Sequence, residues 1–353
     1  MASVELRRIT KRFKAVTALN GVSFDVKEGE FFVLLGPTGA GKTTTLRVIA
    51  GLERPDQGEV LFDGEPVNHL SPSERDVAFV FEQYSLYPSM SVYDNLAFPL
   101  RSPLRRMPEP EIRRRVQETA EKLRISHLLQ RTTAHLSGGE MQRVSLGRAL
   151  VRDPRIFLMD EPLSNLDAKL REALRVELKH LQKTEGSTTL FVTHDQIEAL
   201  TMGDRIGVLS RGHIIQIGTP EDIYDRPATT FVAQLVGTPR INLVEAHRED
   251  DTLYISDSPV RLPLPPGRDV PPTLLVGVRP EDVRIHAEGE FLAEIALTEP
   301  LGVETILHLR AGKQTLLSIV PGMTDLRVKD QVRFSILRER LHYFRPDGTR
   351  ITG

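Results

Sequence analysis

The sequence predicts an α/β domain built on a parallel sheet, interrupted by a helical insert and followed by a smaller all-β domain. Three observations carry that reading. Short, nearly continuous apolar runs recur through the first 240 residues, alternating with helix-like stretches. Between Val92 and Leu136 the apolar spacing turns helical and strand-like runs disappear. After about Gly237 the chain becomes proline-dense and then breaks into short strand-like pieces punctuated by turns. A length of 353 residues exceeds one typical domain, which leaves room for two cores.

The strand runs of the first region are EFFVLLG (30–36), DVAFVF (76–81), RIFLMD (155–160) and TTLFVTH (188–194). A strand covered on both faces reads as an unbroken apolar run, the expectation for a parallel sheet. Polar residues follow each run, and ligands of such sheets gather at the carboxyl ends of the strands. The insert holds the arginines Arg101, Arg105, Arg106, Arg113, Arg114 and Arg115. A solvated helix face is the plain reading of this group, and closeness to anionic lipid headgroups the sharper one. The second region contains LLVGVRP, FLAEIAL, TILHLR and VRFSIL, short strands that suit a small barrel or sandwich.

Composition narrows the function. A net charge of −2, with 15 Lys or Arg against 17 Asp or Glu from Arg240 onward, provides no basic stripe, so nucleic acid is not an expected partner. Absence of cysteine excludes disulfides and thiolate metal sites. No run reaches the eighteen or so apolar residues of a spanning helix, and the start of the chain, MASVELRRITKRFK, lacks the apolar stretch of a secretory signal. A cytoplasmic protein is the expectation.

The chemistry is concentrated in a few motifs. GPTGAGKT fits G-x-x-x-x-G-K-[ST], with Gly36, Gly41, Lys42 and Thr43 at the specified positions, after a strand run and before a helical one. Such a loop turns amide hydrogens inward around phosphates; Pro37, Thr38, Gly39 and Ala40 complete it and Thr44 follows. Lys42 adds a point charge for the β and γ phosphates, and the Thr43 hydroxyl is placed to ligand Mg²⁺. An ordinary strand-to-helix turn is the competing reading. RIFLMDEP ends a buried strand in Asp160, the expected acid beside magnesium, and Glu161 stands next as candidate general base. His194, at the tip of TTLFVTH, is a candidate for hydrogen bonding the γ phosphate, although strand-end histidines are often structural. Ser137-Gly138-Gly139-Glu140 reads as a capping box opening a helix toward Leu150, and its glycine-flanked amides are also a candidate phosphate site.

The ordered set GPTGAGKTT, LSGGE, RIFLMDEP, SNLD and VTHD resembles the nucleotide-binding subunits of ATP-binding cassette (ABC) transporters. VFEQYSLYPSMSVYDNLAFPLR, GTPEDIYDRPATTFVAQLVG, LLVGVRPEDV and LHYFRPDGTRI resemble the maltose and glycerol-phosphate importer ATPases along their whole length. The resemblance implies a P-loop ATPase domain over 1–238, its helical subdomain at about 92–150, and an oligonucleotide-binding-like (OB-like, TOBE-type) regulatory domain over 239–353. It further implies a head-to-tail homodimer in which Ser137, Gly138 and Gly139 close over the γ phosphate held by Lys42 of a second copy. Asp167 would bridge the two sites, and Phe13 would stack on adenine, a packed core phenylalanine being the alternative.

ATP and Mg²⁺ are the implied cofactors. Two transmembrane permease subunits and an extracytoplasmic solute-binding protein are the implied partners, with the chain peripheral on the cytoplasmic face of the cell membrane. Sugars are the cargo the resemblance favours. Tyr84 to Met90 and the following helix would line a groove for a short cytoplasmic helix of the permease, unless that turn packs only within its own domain. Where the family commonly has glutamine touching magnesium, this chain has Glu82, followed by Gln83. A carboxylate there remains a hard oxygen ligand but adds negative charge near the γ phosphate. A soluble, non-transport cassette ATPase and a nucleotide-gated regulatory module are the rival readings.

Overall fold

The computed structural model describes residues 1–103, 107–264 and 269–352. Arg105 and Arg106 of the arginine group, and residues 265–268 of the proline-dense stretch, lie outside the described residues. The chain divides into two compact units, Met1–Pro220 and Glu221–Gly353.

The first unit runs β1 (Val4–Phe13), β2 (Val16–Val26), β3 (Phe31–Leu35), α1 (Lys42–Ala50), β4 (Gln57–Phe62), β5 (Glu65–Pro66) and β6 (Val77–Val80). The insert follows with α2 (Val92–Ala97), α3 (Glu109–Lys122) and α4 (Gly138–Leu150). Then come β7 (Ile156–Asp160), α5 (Ala168–Glu185), β8 (Thr189–Thr193), α6 (Gln196–Met202), β9 (Arg205–Ser210) and β10 (His213–Gly218). Six strands form the central sheet in the order β10-β9-β3-β8-β7-β6, parallel except for the β9–β10 hairpin. Every residue of β3, β7 and β8 is buried, the physical reason for their unbroken apolar runs.

A second, antiparallel sheet of order β2-β1-β4-β5 is not legible in the strand runs. Its pairing shifts register between Leu6 and Ile9, where Arg8 takes φ 51°. A bulge of this kind breaks the period-two alternation by which a half-buried strand is read.

The insert packs α2, α3 and α4 around Leu96, Ile112, Val116, Leu123 and Val144. Its described arginines are largely spent on neighbouring acids. Arg101 meets Asp94 at 3.1 Å and Glu109 at 2.9 Å, Arg114 meets Glu111 and Glu118 at 2.6 Å, and Arg115 meets Glu111 at 3.0 Å. Exposed pairs like these, screened by solvent, favour the solvated-face reading.

The second unit contains two five-stranded antiparallel sheets that nearly close into an OB-like barrel around Leu253, Val276, Ile295, Leu309, Phe334 and Tyr343. One sheet centres on Asn242–Glu249 and Thr273–Val278, the other on Gln331–Ile336, Phe291–Pro300 and Glu304–Ala311. Residues 221–238, expected at the end of the first domain, make their hydrogen bonds here. Buried Arg279 donates to the carbonyls of Tyr224, Ala233 and Val236, and Thr230 N donates to Gly348 O at 2.8 Å. The boundary between compact units therefore falls at Pro220 rather than near Gly237. Among the described residues no helix is long and apolar enough to cross a membrane.

Candidate nucleotide site

The site lies along the carboxyl edge of the central sheet, where β3, β7 and β8 release Gly36, Glu161 and His194. Gly36 and Ala40 are buried, while Pro37, Thr38 and Gly39 form an exposed rim. Gly41 adopts φ +110°, and a Cβ there would stand 2.5 Å from Ala18 O on β2, so only glycine lets the loop turn into α1. No side chain caps α1, which leaves its first amides available to an anion. At the far end, buried Arg75 donates to the carbonyls of Val48 and Ile49 at 2.8 Å and fixes the helix in place.

Lys42 opens α1 and is buried, its ammonium donating to Gly36 O at 2.9 Å and Pro37 O at 3.1 Å. The same nitrogen lies 3.1 Å from Glu161 Oε1. The other oxygen of that carboxylate, Oε2, is 2.6 Å from His194 Nδ1. Glu161 is thus pinned on both sides, and it has φ 45°, a left-handed conformation costing a non-glycine residue about 1–3 kcal/mol.

Thr43 Oγ1 donates to Asp160 Oδ1 at 3.0 Å. Burial raises the Asp160 pKa first of all, the Thr43 hydrogen bond opposes it, and the charges of Glu161 and Glu82 add to the rise. A hydroxyl and a carboxylate side by side are hard oxygen donors, and the surplus negative charge around them is what a divalent cation would neutralise. The residues present therefore fit Mg²⁺. Among the described residues no three His, Cys, Asp or Glu side chains form a cage. A small cation here would share its coordination with phosphate oxygens, as Mg²⁺ commonly does.

The remaining candidates are spread over the same unit. Thr44 is half-buried behind Thr43. Phe13 ends β1 and is 41% exposed, with Lys11 Nζ 5.1 Å above its ring, so the packed-core alternative does not describe it. Glu82 and Gln83 are exposed, and Glu82 O accepts from Asn165 Nδ2 at 3.0 Å. Ser137 heads α4 in a complete capping box: its amide donates to Glu140 Oε2 at 2.8 Å while Glu140 N donates to Ser137 Oγ at 3.4 Å. Gly139 packs so closely on Leu170 that a Cβ would overlap that side chain. Asp167 caps α5, accepting from Leu170 N at 3.0 Å. Ser137, Gly138 and Gly139 thus open α4 and Asp167 opens α5, the two helix starts meeting where Gly139 packs on Leu170.

Against the edge strand β6 is an open cleft of about 930 Å³, lined by Leu52, Phe79, Tyr87, Phe98 and Arg148 among others. Tyr87 and Phe98 are 39% and 45% exposed, with ring centroids 4.5 Å apart. The turn at 84–90 both packs and presents an apolar face.

Thr193, Asp195, Glu198 and Arg171 join the site only in the folded chain. Thr193 Oγ1 donates to buried Glu198 Oε2 at 2.6 Å and accepts from Asp195 N at 2.9 Å, bracketing His194. No spacing rule marks such a relay, because it forms only when β8 turns into α6.

Comparison with known proteins places this geometry. A family described as "ABC transporter" matches residues 19–164, and one described as "TOBE domain" matches residues 276–344. The trehalose/maltose import ATP-binding protein MalK of Thermococcus litoralis is 46% identical, with 98% of each chain covered. The sn-glycerol-3-phosphate import ATP-binding protein UgpC of Cereibacter sphaeroides is 44% identical with 98% of each covered. The alpha-glucoside transport ATP-binding protein AglK of Rhizobium meliloti is 43% identical with 99% of each covered. Among solved structures, a dimeric ATP-binding cassette in a post-hydrolysis state bound to ADP and Pi aligns with TM-score 0.56 and 35% identity, over 62% of this chain and 98% of that one. The ADP conformation of another ABC transporter cassette aligns at 0.59 and 28%, over 66% and 98%.

Proposed function

This chain belongs to the ABC transporters as an import ATP-binding subunit, and on that premise we propose that its cargo is a sugar or a related small polar solute. It binds and hydrolyses ATP, and the hydrolysis energises passage through membrane permease subunits. The cargo reading is supported by the names of its relatives, two for import of trehalose and maltose or of glycerol-3-phosphate and one for alpha-glucoside transport. Delivery to the permease pair would fall to an extracytoplasmic solute-binding protein, with this chain on the cytoplasmic face of the cell membrane. The cleft at Tyr87 and Phe98 suits a short amphipathic helix of the permease.

One observation supports the hydrolytic roles: Glu161 lies between Lys42 at 3.1 Å and His194 at 2.6 Å, beside the Thr43–Asp160 pair. Incoming phosphates meet the uncapped amides of α1 and draw Lys42 away from the carbonyls of Gly36 and Pro37. That exchange releases Glu161 Oε1 to accept a hydrogen bond, and then a proton, from the attacking water. His194 keeps hold of Oε2 and so fixes the carboxylate's orientation. Thr43 and Asp160 would hold Mg²⁺, which when bound offsets charge on the phosphate oxygens. Phe13 offers its exposed ring to adenine. Ser137, Gly138 and Gly139 of a second copy would close over the γ phosphate, with Asp167 between the two sites. General-base action contributes about 10²- to 10⁴-fold in rate.

The test is solute uptake in vesicles carrying the permease pair, this chain and the solute receptor. Glu161→Gln is expected to keep ATP binding and to lose uptake. Undiminished uptake would instead identify a nucleotide-gated regulatory module in which hydrolysis is incidental.

A further inference from the structure

Glu161 and His194 meet at the front of the site, and the segments that carry them also meet behind it, at one side chain. From the β7 end, Glu161 O accepts from Ser164 Oγ at 2.9 Å and Ser164 N at 3.2 Å, folding residues 161–167 into a tight turn. Arg171, in the first turn of α5, directs Nη2 at the carbonyls of that turn, Leu166 O at 2.9 Å and Ser164 O at 3.5 Å. Its other terminal nitrogen, Nη1, lies 3.6 Å from Asp195 Oδ2. Asp195 adjoins His194, and its amide donates to Thr193 Oγ1, the hydroxyl held by buried Glu198. The contacts close a ring from Glu161 through Ser164, Arg171 and Asp195 to His194, and back to Glu161 at 2.6 Å.

We propose that Arg171 is a positioning residue for hydrolysis, tying the loop after Glu161 to the loop of His194 so that the carboxylate and the imidazole keep their alignment. A planar guanidinium is suited to this task, since two of its N–H groups reach different loops from one rigid fork, which a lysine ammonium cannot reproduce. Asp195 divides its oxygens in a matching way. Oδ1 caps α6, accepting from Ile197 N at 2.7 Å and Glu198 N at 3.2 Å, while Oδ2 faces Arg171. Gly139 packs on Leu170, one residue before Arg171, so the first turn of α5 also touches the start of α4. Displacing Arg171 disturbs the alignment of a reacting pair without touching the nucleotide loop, so the effect belongs in kcat rather than in KM.

The inference rests on the hydrolytic reading above and is tested on the full chain assembled with its permease pair. Arg171→Met is expected to lower kcat about tenfold with the KM for ATP within about twofold, and Arg171→Lys to recover part of the loss. Asp195→Asn preserves the α6 cap through Oδ1 and removes only the charge facing Arg171, so it keeps the test open should Arg171→Met fail to fold. It should reproduce the kcat loss, and the double variant should be no slower than the slower single one, the mark of a shared interaction. An Arg171→Met chain retaining half or more of native kcat overturns the inference. Losses that simply multiply in the double variant, or a rise in KM at unchanged kcat, overturn it equally. Native chains that fail to turn over ATP would remove the hydrolytic reading as well; native turnover with an unimpaired Arg171→Met removes this inference alone.

Discussion

Two glycine-bearing turns in this chain open helices, and they are built for different ends. The turn before α1 has no side-chain cap, and it gathers the Lys42 ammonium and the Thr43–Asp160 pair around its free amides. The turn before α4 spends its donors on itself: Ser137 and Glu140 satisfy one another in a capping box. Arg131, 4.0 Å from Glu140, pairs with the carboxylate of the capping box. One turn is a nearly complete anion site and the other a partial donor patch. A patch of that kind gains a phosphate only when another surface brings one, which is the physical case for a second copy of the chain.

The widest separation between the turns should come from paired substitutions. Lys42→Met removes the charge within the cradle, so a single copy should lose ATP affinity and the paired chains their turnover, the latter by about 10²- to 10³-fold. Gly138→Val leaves that cradle intact; a Cβ there meets only the end of one side chain, the Tyr84 hydroxyl at 3.2 Å. Binding of a fluorescent ATP analogue to the isolated copy should therefore be native-like for Gly138→Val while phosphate release falls steeply. If both variants lose binding alike, the distinction between a complete and a partial site fails.

Much of this contrast is written in the sequence, because each turn announces itself by local chemistry. Lys42 and Thr43 sit at fixed spacing from Gly36, Ser137 precedes Glu140 by three, and β3, β7 and β8 are apolar from end to end. What stays hidden depends on distance along the chain. The ring through Ser164, Arg171 and Asp195 joins three segments no periodicity links, and the antiparallel sheet is masked by the bulge at Arg8. Residues 221–238 look like a continuation of the first domain until Arg279, some fifty residues on, claims their carbonyls.

A smaller effect is expected at Gly139, where the second turn leans on α5. A valine Cβ would overlap Leu170, and overpacking of this sort costs about 1–3 kcal/mol. Gly139→Val should lower the urea midpoint of the chain, and pairing it with Leu170→Ala should restore much of the loss. Failure of the second change to rescue the first would mean that Gly139 is required for something other than this contact.

The smallest effect concerns the acid dependence of the α4 cap. Hydrogen bonds from the Ser137 amide and hydroxyl hold the Glu140 carboxyl below its ordinary pKa, opposed only in part by burial. A group whose folded pKa is depressed binds fewer protons folded than unfolded, so its contribution is present above the unfolded value of 4.5 and fades as pH falls through the folded one. Glu140→Gln keeps both reciprocal bonds with a neutral acceptor, and at neutral pH should change stability by no more than about 1 kcal/mol. The difference between native and variant should then shrink as the pH is lowered past 4.5, since protonation takes from the native chain the charge the variant never had. Parallel stability curves for the two proteins from pH 7 to pH 3 would show that the capping box does not depend on a charged Glu140, and would leave the second turn's amides freer for phosphate than its geometry suggests.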